Sequence, residues 1–138
     1  MLPILVFAWI YGPIPGIAAG TMDGIMQLVQ GAYVIHPMQF LLDYILPFAV
    51  LGIAGLFRKD NQLPFGIVLG SAARFIIHVL SGVIYFASSA PAGQSPLLYS
   101  LGYNATYLVP ELIICLAIVL VPRMKHALIR IKHEAKIA

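Results

Sequence analysis

Residues 63–86 read LPFGIVLGSAARFIIHVLSGVIYF. One arginine and one histidine interrupt a run that holds no acid and is apolar on every side. A membrane-spanning helix needs about 20 mostly apolar residues, and this stretch meets that length. It is too long for a strand and lacks the alternation of a barrel strand. The surrounding chain repeats the pattern at Leu2–Ile10, Ile14–Val29, Met38–Phe57 and, from Asn104, to Val121. The reading is all-α: a polytopic membrane bundle, one transmembrane domain over 1–138. Its spans fall near 2–10, 14–29, 38–57, 63–86 and 104–121, followed by a basic tail over 122–138.

Composition agrees. Of 138 residues 61% are hydrophobic and 9% charged, with a mean hydropathy of +0.94. Soluble domains carry about 25% charged residues. A soluble enzyme, a disordered tail and a nucleic-acid module are excluded. The net charge of +3 reflects lysines and arginines between apolar runs, where they signal topology. The single cysteine, Cys115, lies within an apolar run, so neither a disulfide framework nor a cysteine metal site is expected.

Orientation follows from the basic loops. Arg58 and Lys59 separate the third and fourth runs, and Arg123, Lys125, Arg130, Lys132 and Lys136 follow the fifth. By the positive-inside rule both regions, and the C-terminus, are cytoplasmic. The uncharged stretch 87–103 and the loop 30–37 are then outside. Counting back through the break at Tyr11-Gly12-Pro13 puts Met1 outside, after a first span of only nine residues. There is no basic region to make it a signal peptide. The expectation is a sixth helix ahead of Met1, and hence a truncated N-terminus.

Gly12, Gly16, Gly20 and Gly24 recur every four residues, as do Gly66, Gly70, Arg74, His78 and Gly82. Small residues at this spacing let helices approach closely in lipid. Arg74 and His78 share the second stripe and therefore face the bundle. An ion pair of Asp23 with Arg74 would serve mainly to hold helices together. Ionisable groups inside a span cost about 2.5–3.5 kcal/mol on insertion scales and are functional by default. At about 1.5 Å per residue, Asp43, His78 and Glu111 fall in the outer half. Asn104, Tyr107 and Glu111 share one helix face, and Gln39 lies one turn before Asp43. Tyr33, Phe86 and Tyr99 add aromatic groups, while Tyr85 and Tyr103 read as an interfacial belt. A carboxylate among aromatic faces suits an organic cation. The same groups would also serve a proton relay or a small membrane enzyme. No phosphate-binding loop, nucleophile elbow or zinc-protease motif occurs.

Several stretches carry a resemblance. Gln39-Phe40-Leu41-Leu42-Asp43-Tyr44, the run LGIAGLF at 51–57, RFIIHVLSGV at 74–83, and Tyr99-Ser100-Leu101-Gly102-Tyr103-Asn104 with Pro110-Glu111 resemble the thiamine-specific substrate-binding subunit, or S component, of energy-coupling factor (ECF) transporters. That resemblance implies a six-helix fold entered at its second helix, with a thiamine pocket near the outer face. It places pocket groups at Tyr33, Asp43, Tyr44, His78, Phe86, Tyr99 and Asn104; Glu111 joins them from the shared helix face. Some members carry Glu where Asp43 stands and Trp where Phe86 stands. It further implies capture without covalent chemistry, so no catalytic residue, metal or cofactor. The implied partners are thiamine, a transmembrane coupling subunit and two ATPases, in a cell membrane. An S component for another vitamin is the alternative within transport.

Overall fold

The computed structural model describes residues 1–135 apart from the side chain of Leu28, and among these residues six main helices form, with a short 3-10 turn at Ala87–Ser89. They are α1 (Leu2–Tyr11), α2 (Pro13–Val29), α3 (Pro37–Leu56), α4 (Leu63–Tyr85), α5 (Pro96–Leu120) and α6 (Pro122–Ala135), with no strand among the described residues. Each helix has a proline in its first turn: Pro3, Pro13, Pro37, Pro64, Pro96 and Pro122. There the missing N–H costs no intrahelical bond and the fixed φ favours a start. Side-chain caps reinforce two starts: His36 Nδ1 accepts from the Met38 N–H (3.1 Å) and Ser95 Oγ from the Leu98 N–H (3.2 Å).

The all-α membrane bundle is as expected, with corrections of length. Three helices, α3, α4 and α5, are long and apolar enough to cross a membrane, with 20, 23 and 25 residues. α1, with 10 residues, and α2, with 17, fall short of that. α5 starts at Pro96, eight residues before the expected Asn104, because Ser95-Pro96 supplies a cap and a proline start. The basic tail does not extend α5. Val121 is extended (φ −61°, ψ 123°), as the residue before a proline prefers, and α6 sets off in a new direction. Lys136 lies outside the described residues.

α1 occupies the centre. Leu5, Ala8 and Trp9 are fully buried, and with Leu51, Ala54, Ile67, Cys115 and Val119 they form the core. The helix ends beside the basic loop, where Trp9 Nε1 donates to the Lys59 carbonyl (3.1 Å) and Arg58 donates to the Ile10 carbonyl (3.3 Å). Ten residues cover about 15 Å, half a bilayer. The amine of Met1 donates to Glu111 (2.7 Å) within the bundle. Gly12, at φ 107°, makes the sharp turn into Pro13 that returns the chain as α2.

The glycine stripe of α2 lies on α3. A methyl group on Gly16 would strike Ala8 and Gly52; on Gly20, the Phe48 carbonyl; on Gly24, the Tyr44 carbonyl. On α4, Gly66 meets Ala54, Gly70 meets Leu5, and Gly82 meets Ser100. α2, α1 and α4 thus share α3 as a common neighbour. At the basic end, α6 is anchored by Lys132, which donates to the Arg58 carbonyl and Asp60 (2.8 Å) and lies over the Trp9 ring (4.1 Å). The Lys132 ammonium holds the Asp60 carboxyl below its usual range.

Gly20→Val should therefore lower the melting temperature in detergent, by the equivalent of about 1–3 kcal/mol of overpacking. Gly102, on an open face of α5 with nothing within 4 Å of an added Cβ, is the control. Gly102→Ala should stabilise by up to about 1 kcal/mol, and equal loss in both variants would contradict the packing described.

Candidate functional site

Pro47 lies four residues after Asp43. Proline gives no N–H to the carbonyl four residues back, and its ring crowds that carbonyl. α3 widens here into a π-helical turn over Leu41–Ile45, with the Leu46 N–H reaching the Leu41 carbonyl. Such turns are frequent at functional sites because they re-aim side chains. Asp43 and Tyr44 both sit on it.

The two residues line a cavity of about 370 Å³ at the end of the bundle opposite the basic loop. α4 contributes His78 and Gly82; Phe86 and Ser89 follow it. α5 contributes Tyr99, Ser100, Tyr103, Asn104 and Tyr107, and the α2–α3 loop lays Tyr33 at the wall beside Gln39. Seven of the eight expected residues are thereby brought together: Tyr33, Asp43, Tyr44, His78, Phe86, Tyr99 and Asn104. Glu111 is not in this wall. It lies deeper, bonded to Arg74 (3.3 Å) and Met1 (2.7 Å). Arg74 therefore pairs with Glu111 and not with Asp23, as two further turns along α5 put Glu111 at Arg74's level.

Among the described residues Asp43 is the only acid in the wall. Gln39 Nε2 donates to its Oδ2 (2.5 Å), and His78 Nδ1 lies 3.8 Å from its Oδ1. No lysine or arginine pairs with it among the described residues. His78 Nε2 accepts from Arg74 Nε (3.4 Å). That role leaves the imidazole hydrogen on Nδ1, facing Asp43 and the cavity. Asn104 is already engaged: its Nδ2 donates to the Ser100 carbonyl (2.9 Å) and Oγ (3.2 Å), and its Oδ1 accepts from Tyr107 (2.5 Å). One lone pair on Oδ1 is left for a donor.

Aromatic rings cover the rest. Tyr33, Tyr44, Phe86, Tyr99, Tyr103 and Tyr107 all reach the cavity. Tyr107 meets His78 edge-on (6.2 Å, 76°) and Tyr103 (6.0 Å, 72°), and Tyr103 lies along Tyr99 (6.3 Å, 25°). Tyr103 is thus a wall residue and not a belt residue, whereas Tyr85 stacks on His36 outside the wall (5.7 Å).

Gln39 is the main residue that sequence reasoning left unassigned. It is 1% exposed. Besides Asp43 it donates to the Tyr33 carbonyl (3.2 Å) and accepts from the Ile35 N–H (3.2 Å). Tyr44 reaches the same loop, accepting from the Tyr33 N–H (3.1 Å) and donating to its carbonyl (3.3 Å). The available signal was the i, i+4 spacing to Asp43. Tyr107, placed on the right face but not chosen, follows from the same spacing logic. Among the described residues no three potential metal ligands gather.

The chain matches the family model described as thiamine transporter protein over residues 1–131. It is 40% identical over 135 residues to the thiamine transporter ThiT of Bacillus subtilis, covering 87% of this chain and 70% of that one. It is 31% identical over 122 residues to ThiT of Lacticaseibacillus paracasei, covering 75% and 61%. A solved structure of ThiT from Listeria monocytogenes superposes with a TM-score of 0.79 at 23% identity, over 91% of this chain and 79% of that one. That likeness carries the fold.

Two outcomes follow from the geometry. Gln39→Leu should leave the Ile35 N–H without its partner and Asp43 without its amide donor, costing about 1–3 kcal/mol, and hydrogen exchange at Ile35 should accelerate selectively. Removing either partner of the part-buried Arg74–Glu111 pair should destabilise the protein, and Arg74→Met with Glu111→Leu together should cost less than the sum of the two alone. Additive losses in that double-mutant cycle would refute the pairing.

Proposed function

This chain belongs to the thiamine transporter protein family, a family of transporters and not of enzymes, and from that premise we propose that the cavity is its thiamine-capture site. One observation carries the reading: a single carboxylate, unpaired with any fixed cation, stands in a cavity walled by six aromatic rings. A thiazolium cation placed there exchanges water for the Asp43 charge and for ring faces, each face worth about 0.5–2 kcal/mol. His78 offers a donor at Nδ1 and Asn104 an acceptor at Oδ1, complementary to the ring nitrogens and amino group of an aminopyrimidine. Thiamine is the transported ligand and no cofactor is involved.

The finer reading is that the chain acts as the S component of an ECF transporter. A transmembrane coupling subunit and two ATPases would then supply the energy that a chain without a phosphate-binding loop does not. In this reading the cavity opens outside the cell, and the basic end, with α6 and the C-terminus, faces the cytoplasm. Proton relay along Asp43, His78, Arg74 and Glu111 is disfavoured by Arg74 itself. A guanidinium does not release its proton in a protein, and it stands between His78 and Glu111.

Titration calorimetry of thiamine on the purified protein tests the reading. Asp43→Asn should weaken binding by about 10–150-fold, the worth of a charge-assisted contact of roughly 1.5–3 kcal/mol, with little change in melting temperature. An unchanged dissociation constant would remove Asp43 from the site.

A further inference from the structure

We propose that α6, at the basic end of the bundle, is a binding surface for acidic phospholipid headgroups. The helix presents three distinct sides. Leu128 and Ile129 pack on the core cluster, and Lys132, 1% exposed, locks that side to Trp9, Asp60 and the Arg58 carbonyl. α6 is therefore a seated element and not a loose tail. Arg123 and Arg130, seven residues apart, occupy one exposed row. Met124 (41% exposed) and Ile131 (51%), also seven apart, occupy the next row, one residue further round. Seven residues are close to two helical turns, so the basic row and the apolar row, about 100° apart round the helix, each recur twice.

The apolar row continues an existing surface. Leu120 and Val121, at the end of α5, are 60% and 48% exposed, and α5 is long and apolar enough to span the membrane. Acyl chains that cover the exterior of α5 run directly onto Met124. The charge also fits. Asp60 is engaged by Lys132 and His133, and Glu134 by Arg130. Arg58, Lys59, Arg123 and Lys125 have no acid partner among the described residues. An interfacial helix of this kind places apolar side chains below the headgroups and cations at their phosphates, where guanidinium binds phosphate bidentately. An acidic soluble protein would match the charge but not the apolar row that continues a lipid-covered helix. The inference stands apart from the thiamine reading.

The test is native mass spectrometry of the purified protein in neutral detergent, titrated with phosphatidylglycerol or phosphatidylcholine. Phosphatidylglycerol should be retained preferentially. Arg123→Gln with Arg130→Gln should weaken its binding roughly 30-fold at low ionic strength, at about fivefold per cation, and leave phosphatidylcholine unaffected. Raising the salt on the unaltered protein should reproduce the loss without any substitution, and Glu134→Gln should strengthen binding. The emission of Trp9, the only tryptophan, reports whether α6 remains seated. Equal retention of the two lipids, or undiminished phosphatidylglycerol binding by the double variant, would overturn the proposal. Undiminished lipid binding combined with lost uptake would assign the surface to a protein partner, and would overturn it equally.

Discussion

A guanidinium buried among apolar helices must be satisfied, and three helices are arranged to do so. Arg74 of α4 meets Glu111 of α5 (3.3 Å), the ring face of Phe48 on α3 (4.5 Å), and His78 one turn along its own helix (3.4 Å). Each contact has a consequence at the cavity. Glu111 is engaged, so it is unavailable as a ligand group. His78 is held as an Nδ1–H donor toward the cavity. Asp43, one layer further out, has no fixed cation beside it. The site is thus left with one uncompensated negative charge because the other acid is neutralised below it.

The second constraint is Pro47. By removing one backbone bond it widens α3 where Asp43 and Tyr44 emerge. The same side of α3 carries Gln39, which bonds both the Asp43 carboxylate and the loop holding Tyr33. Cavity floor and cavity rim are therefore tied through one side chain. The glycine stripe on α2 lets that helix lie directly against the irregular stretch, with Gly20 and Gly24 against the Phe48 and Tyr44 carbonyls. Any larger residue would push α2 away from the segment that positions Asp43.

Much of this was legible in the sequence, and the exceptions have physical causes. Apolar run length identifies α3, α4 and α5, and four-residue spacing identifies the face of α2 that packs. Charge in an apolar run singles out Asp43, Arg74, His78 and Glu111. What pattern alone does not convey is which helices face one another. Arg74 could have met Asp23 or Glu111, and only packing chooses. The stretch Ala87–Tyr103 resembles an uncharged loop and hides the start of α5, although Ser95-Pro96 is a helix start. The charge of α6 gives it the pattern of a tail, while the Lys132 contacts that seat it join residues more than 70 positions apart. Gln39 carries no charge, so nothing in its apolar run distinguishes it from other amides.

The central claim is that an unpaired carboxylate in an aromatic cavity selects a cation. The most direct measurement changes the ligand and leaves the protein intact. Calorimetry would compare thiamine with an uncharged analogue of the same shape, in which carbon replaces the quaternary thiazolium nitrogen. The account predicts that the analogue binds in the same site, displaced by thiamine, but about 10–150-fold more weakly. Equal affinity of the two ligands would contradict it, because shape and hydrogen bonding alone would then account for recognition.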